Sequence, residues 1–146
     1  MNIFVSMLDK VFYMTRCIEL ARKAIGYTSP NPMVGAVIVA EGRIIGEGFH
    51  RCCGEPHAEV NAIASVAEGD LHLLPLFVNL EPCSHYGKTP PCADLIIEKK
   101  IPHVVVGNFD PFPEVSGRGI KRLQDAGVFV ETNVCEKECN ELNKRF

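Results

Sequence analysis

Leu76-Phe77-Val78-Asn79-Leu80, Cys92-Ala93-Asp94-Leu95-Ile96-Ile97-Glu98 and His103-Val104-Val105-Val106-Gly107 follow one another in mid-chain, and their order decides the architecture. The first and third are short apolar runs, the pattern of strands buried on both faces. Between them a loop from Glu81 to Pro91 leads into a helix over about Cys92 to Lys100. Strand, helix and strand in succession make a crossover unit, and such units build parallel sheets with helices packed on them.

The pattern extends in both directions. Upstream, His57 to Ala67 reads as a helix that buries Val60, Ile63, Ala64 and Ala67. Downstream come a helix from Ser116 to Ala126, a strand from Val128 to Glu131 and a polar helix from about Cys135 to Phe146. Nearer the start, Val34 to Val39 and Arg43 to His50 flank Ala40-Glu41-Gly42, a β-hairpin signature. An amphipathic helix is expected from about Asp9 to Ile25, with Val11, Met14, Ile18, Leu20, Ala21 and Ile25 near helical spacing and Gly26 ending it. Tyr27 to Pro32 cannot be regular, because two prolines bracket Asn31. The expected fold is α/β: three layers, α/β/α, around a mixed sheet of about five strands whose later members run largely parallel. Ligands in such sheets sit beyond the carboxyl ends of strands, where loops meet helix N-termini.

The totals agree with this and exclude some functions. At 146 residues, 47% hydrophobic and 23% charged, the chain can bury a core of ordinary size. Its net charge is −3 and it has no run of lysine or arginine, so no long nucleic acid is expected as a partner, although a local patch can hold one phosphate. Seven cysteines, an odd number, and no leader peptide argue for a reducing compartment rather than a disulfide framework. Asp9 and Lys10 interrupt the apolar groups of Met1 to Met14, and no stretch reaches membrane-spanning length. The expected location is the cytoplasm, with no membrane partner.

The chemistry gathers at the loop–helix junctions. In Pro56-His57-Ala58-Glu59, the histidine and glutamate stand two apart in the first turn of a helix, so they project in different directions. One can bind a metal while the other reaches a group bound there. Cys83 and Cys92 each follow a proline, and Cys92 opens a helix whose free N–H groups and dipole favour the thiolate. One histidine and two thiolates leave a fourth tetrahedral position open, the arrangement of a catalytic zinc, one per chain. Other readings exist. Cys83 and Cys92 can pair as a disulfide or, like Cys17, be ordinary core cysteines. Cys52-Cys53 and the i,i+4 pair Cys135 and Cys139 are alternative ligands, read as incidental because no histidine and carboxylate are arranged beside them.

His-Ala-Glu followed by Pro-Cys and a second Cys resembles the cytidine-deaminase-like superfamily, whose zinc chemistry and signature are well defined. The chain departs from that signature in spacing: eight residues separate Cys83 from Cys92, where the common form has two. The string Glu81-Pro82-Cys83-Ser84-His85-Tyr86-Gly87-Lys88-Thr89-Pro90-Pro91-Cys92 is similar to the deaminase half of the bifunctional riboflavin-biosynthesis deaminase/reductases. Asn31-Pro32-Met33-Val34-Gly35, Gly54-Glu55-Pro56-His57-Ala58-Glu59 and Asp110-Pro111-Phe112-Pro113 with Gly117-Arg118-Gly119 resemble further segments of that family.

The resemblance implies one zinc held by His57, Cys83 and Cys92, and Glu59 as the proton carrier. It implies as substrate a diaminopyrimidinone bearing a ribosylamino 5′-phosphate, whose 2-amino group is exchanged for oxygen with release of ammonia. Asn31, Lys88, His50, Asp110 and His85, in that order, are the candidate substrate contacts. Outside the resemblance, Asn31 can be a turn residue, His50 structural, Lys88 solvated and Asp110 a turn cap. The family's reductase domain is not expected within residues 1–146, because no Gly-rich strand-to-helix turn is present; a covalent or separate reductase partner remains open. The family also implies a homo-oligomer, with the apolar face of the hairpin as one candidate surface. The rival readings are another nucleoside, nucleotide or tRNA deaminase, and a non-catalytic zinc-binding module.

Overall fold

The computed structural model describes residues 6–29, 31–66, 74–84 and 90–144. Five strands form one sheet in the order β2-β1-β3-β4-β5. They are β1 (Gly35–Ala40), β2 (Arg43–Phe49), β3 (Pro75–Leu80), β4 (His103–Asn108) and β5 (Phe129–Glu131). β1 runs antiparallel to both β2 and β3, whereas β3, β4 and β5 are parallel. The expected mixed sheet is present, and its parallel half comes from the strand–helix–strand order on which the sequence reading began.

Alternation along the strands sorts side chains into two cores. Ala36, Ile38, Leu76, Val78, Val104 and Val106 face α2 (Ala58–Ser65), α3 (Cys92–Glu98) and α4 (Arg118–Asp125). Val37, Val39, Phe77 and Val105 face α1 (Met7–Arg22) and α5 (Glu136–Leu142). The two clusters on opposite faces of the sheet make the three α/β/α layers. Each central strand is therefore mainly apolar on both faces, with Asn79 the polar exception inside β3.

Both early helices need correction. The one read from His57 to Ala67 spans Ala58–Ser65 and buries Ala58, Glu59, Ala62 and Ile63. Val60 is half-buried, Ala64 is exposed and Ala67 lies outside the described residues. The first helix spans Met7–Arg22, not Asp9 to Ile25. It starts early because the Ser6 hydroxyl accepts the Asp9 N–H at 3.2 Å, an N-cap bond, and Ile25 falls in the turn beyond its end. Its buried face is Tyr13, Met14, Cys17, Ile18, Leu20 and Ala21, while Val11 is 41% and Ile25 60% exposed. The hairpin is covered on one face by a helix, and Ile44, Ile45 and Phe49 of β2 stay half-buried. α2 lies directly on β2: a Cβ on Gly48 would come within 2.3 Å of Ala62 N, so only glycine permits that approach. On α1, Met7, Leu8, Val11 and Phe12 are exposed. No helix among the described residues is long and apolar enough to cross a membrane.

Candidate metal centre and active site

β3 ends at Leu80, and the chain runs straight from it to Cys83 at the carboxyl edge of the sheet, where open α/β sheets place their ligands. There His57, Cys83 and Cys92 converge. His57 is the N-cap residue of α2, yet its side chain makes no cap bond, which leaves the imidazole free to face the sulfurs. Its Nδ1 lies 3.7 Å from Cys83 Sγ and 3.4 Å from Cys92 Sγ. The three ligand atoms lie within 4.8 Å of one another, and among the described residues this is the one such group able to surround an ion.

The donor set fits zinc. Zn–N of about 2.0 Å and Zn–S of about 2.3 Å at a tetrahedral angle put nitrogen and sulfur about 3.5 Å apart. The observed separations of 3.4 and 3.7 Å bracket that edge. An imidazole with two thiolates is also the ligand chemistry zinc prefers. All seven cysteines are free, so Cys83 and Cys92 are not a disulfide. Cys17 and Cys139 are fully buried, and Cys17 sits in the core as expected.

Electrostatics favour negative charge on the sulfur pair. The Cys83 thiol is lowered, first because the Cys92 thiol donates to it, then through His57 and the Cys92 backbone. That backbone N–H, at the start of α3, lies 3.1 Å from Cys83 Sγ, so the helix terminus serves the thiolate of Cys83 and not, as expected from the sequence, that of Cys92. Cys92 is pushed up correspondingly, because the proton the two thiols share stays on it. His57 is raised by its bond to Cys83. Glu59, in the first turn of α2, is 3% exposed, and its carboxyl rises to about 7. Burial is the main cause and the Cys83 thiolate adds to it, against the pull of His57 and Cys92.

The substrate candidates divide into three groups. Asn31 and His50 are joined to the metal ligands: Asn31 Nδ2 lies 3.3 Å from His50 Nε2, and the His50 and His57 rings stand edge to face with centroids 5.1 Å apart. His50 Nδ1 faces the Pro56 carbonyl at 3.2 Å. A carbonyl can only accept, so Nδ1 carries the proton and Nε2 accepts from Asn31. Burial lowers His50, which keeps it neutral. Asp110 stands past the end of β4, where its carboxylate accepts the Phe112 N–H at 2.9 Å, the turn-capping role. It is tied to the cysteine segment indirectly, its own N–H donating to Glu81 Oε1 at 2.8 Å. His85 and Lys88 lie outside the described residues.

Two organising residues escaped the sequence reading. Asn79 is fully buried in β3; its Oδ1 accepts the Gly35 N–H at 2.7 Å, and its Nδ2 donates to the Met33 carbonyl at 3.2 Å, which pins the Asn31 loop. Glu81 accepts the N–H groups of Asp110 at 2.8 Å and Gly117 at 2.7 Å, binding the loop after β4 to the segment that carries Cys83. The signal for Asn79 was present: a lone amide inside an apolar strand needs partners.

The family model described as "Cytidine and deoxycytidylate deaminase zinc-binding region" matches residues 7–108. The chain is 52% identical over 142 residues to "Riboflavin biosynthesis protein PYRD, chloroplastic" of Zea mays, covering 95% of this chain and 35% of that one. It is 45% identical to "Diaminohydroxyphosphoribosylamino-pyrimidine deaminase" of Buchnera aphidicola, over 92% of this chain and 91% of that protein. Among solved structures, a diaminohydroxyphosphoribosylaminopyrimidine deaminase/5-amino-6-(5-phosphoribosylamino)uracil reductase from Thermotoga maritima superposes with a TM-score of 0.89 at 49% identity. That match takes in 94% of this chain and 40% of the other. The chain thus spans about a third of the maize relative and nearly the whole of the Buchnera one.

Proposed function

Because the chain belongs to the cytidine and deoxycytidylate deaminase zinc-binding family, we propose that it deaminates 2,5-diamino-6-ribosylamino-4(3H)-pyrimidinone 5′-phosphate hydrolytically. The products are 5-amino-6-ribosylamino-2,4-pyrimidinedione 5′-phosphate and ammonia. One observation carries the chemistry: the three converging donors with the buried Glu59 carboxyl in the same site. The choice of substrate rests on the Buchnera relative, which is similar over nearly its full length.

His57, Cys83 and Cys92 hold the zinc. When bound, it supplies Lewis acidity that brings the pKa of water down to about 7. Glu59 takes one proton from the attacking water and delivers it to the ring nitrogen. It then takes the second from the hydroxyl now on the ring carbon and passes it to the departing amine, which leaves as ammonia while the carbonyl forms. One carboxylate suffices because it gives up each proton before accepting the next. Burial keeps Glu59 away from bulk water, so the proton it accepts goes to the substrate. The neutral His50, holding the Asn31 amide, orients Asn31 toward the pyrimidine or ribose edge, with Asp110, Lys88 and His85 as further contacts.

The same proposal takes residues 1–146 as one deaminase domain acting as a homo-oligomer, beside a covalently linked or separate reductase. Seven free cysteines fit a reducing compartment such as the cytoplasm. The test is to incubate the purified, zinc-loaded chain with the diaminopyrimidinone phosphate and to follow ammonia and the ultraviolet spectrum. Cytidine and deoxycytidylate serve as parallel substrates. Turnover of either of these without turnover of the diaminopyrimidinone overturns the assignment.

A further inference from the structure

Two separate segments bring the thiols to the metal centre, and Arg122 of α4 grips both. Its Nε lies 2.7 Å from Asp94 Oδ1, two residues past Cys92 in the first turn of α3. One of its terminal nitrogens donates to the Ser84 carbonyl at 3.0 Å, the residue directly after Cys83. α4 is itself seated hard against the cysteine segment: a Cβ on Gly119 would stand 1.9 Å from the Pro82 carbonyl oxygen. On the inner side, the Cys92 N–H reaches Cys83 Sγ and the Ala93 N–H reaches the Cys83 carbonyl, both at 3.1 Å. The two cysteine segments are thus tied twice, by backbone next to the sulfurs and by one guanidinium across the outer side.

We propose that Arg122 is a positioning residue for the metal centre, setting the spacing between Cys83 and Cys92 by holding Ser84 and Asp94 together. This rests on the reading of His57, Cys83 and Cys92 as metal ligands. A planar guanidinium with donors in a fixed fork suits the role, since it meets a carboxylate and a carbonyl at set angles, as a flexible ammonium does not. The Arg122 and Asp94 side chains are 44% and 25% exposed. An ion pair open to solvent adds little to overall stability. Its consequence therefore falls on donor spacing, to which metal affinity is far more sensitive than the fold is. Residues that act on ligands from outside the coordination sphere change metal affinity by roughly tenfold or more.

The experiment measures zinc affinity by competition with a chromophoric chelator and the ligand-field spectrum of the cobalt-substituted chain, with the melting temperature of the metal-free protein recorded alongside. Arg122→Ala is expected to weaken zinc binding about tenfold and to alter the cobalt bands while the metal-free melting temperature stays near wild type. Asp94→Asn is expected to behave alike, and the double variant to be no weaker than either single one, because both remove one linkage. Arg122→Lys keeps the charge and stem but not the fork. It is expected to lose affinity several-fold, and it carries the test should Arg122→Ala melt early. Wild-type affinity and an unchanged cobalt spectrum in both arginine variants overturn the proposal while leaving the metal centre standing. A wild-type chain that takes up neither zinc nor cobalt overturns the metal reading and the proposal with it.

Discussion

Each residue of the centre has a task that one substitution can isolate. Glu59→Gln keeps the size and burial of the side chain but cannot carry a proton. The variant is expected to bind zinc and melt like wild type while turnover falls by about 10²–10⁴-fold. Full activity in Glu59→Gln, measured as ammonia release, rules out its role as proton carrier. Cys83→Ala removes the sulfur toward which both His57 and the Cys92 N–H point. Metal analysis is expected to find less than one zinc per chain, and retention of a full equivalent after dialysis against chelator contradicts the ligand assignment. Asn79→Ala strips the Gly35 N–H of its acceptor in a fully buried place, at a cost of about 2 kcal/mol. Because Asn79 also pins Met33, the loop carrying Asn31 loosens, and KM should rise more than kcat falls. An unchanged urea midpoint would show that the amide bonds of Asn79 contribute nothing net.

At the scale of elements, helices reach this site only through close approaches. α2 brings His57 and Glu59 in by lying on Gly48, and α4 meets the cysteine segment at Gly119. Gly119→Ala places a methyl group 1.9 Å from a backbone oxygen that no rotamer change can move. α4 must shift away from Pro82, and a destabilisation of about 3 kcal/mol is expected in urea unfolding. A midpoint within experimental error of wild type would mean that α4 has room to move. These contacts explain an asymmetry in what the sequence revealed. The strands and the helices of the crossover units were legible because their periodicity is local. The seating of α4 depends on a residue with no side chain, whose importance lies entirely in a neighbour 37 positions away, at Pro82.

Across the whole molecule, one cluster around the buried His103 couples the first helix to the last strand. His103 Nε2 lies 2.9 Å from Glu131 Oε1, Lys10 pairs with the other oxygen of Glu131, and the His103 ring stacks on Phe129. Burial lowers His103, outweighing the opposing pull of Glu131. Burial raises Glu131, but Lys10 and then His103 overcome it and hold the carboxyl below its ordinary 4.5. The signs agree. His103 stays neutral in the fold while the unfolded chain takes up a proton near 6.5, so stability falls as pH drops through that value. Glu131 contributes above its ordinary pKa, and that contribution too is lost on acidification. The melting temperature of the wild type is expected to fall more steeply than that of His103→Gln between pH 7 and about 5.5. Parallel curves for the two proteins would remove His103 from the pH response.

By itself the sequence determined the α/β class and the parallel half of the sheet, and it singled out four residues as candidates for the chemistry. Those rest on local periodicity and on residue types whose spacing has few other uses, above all His57, Glu59, Cys83 and Cys92. The structure alone decided which of several cysteines converge, since Cys83 and Cys92 meet His57 while Cys139 is packed into the core. It also decided that α2 packs on the hairpin, that Asn31 meets His50, and that Asn79, Glu81 and Arg122 bond to the surrounding loops and helix starts. Those facts depend on contacts between residues far apart in the chain. Local propensity carries no information about such contacts, which exist only once the helices are docked on the sheet.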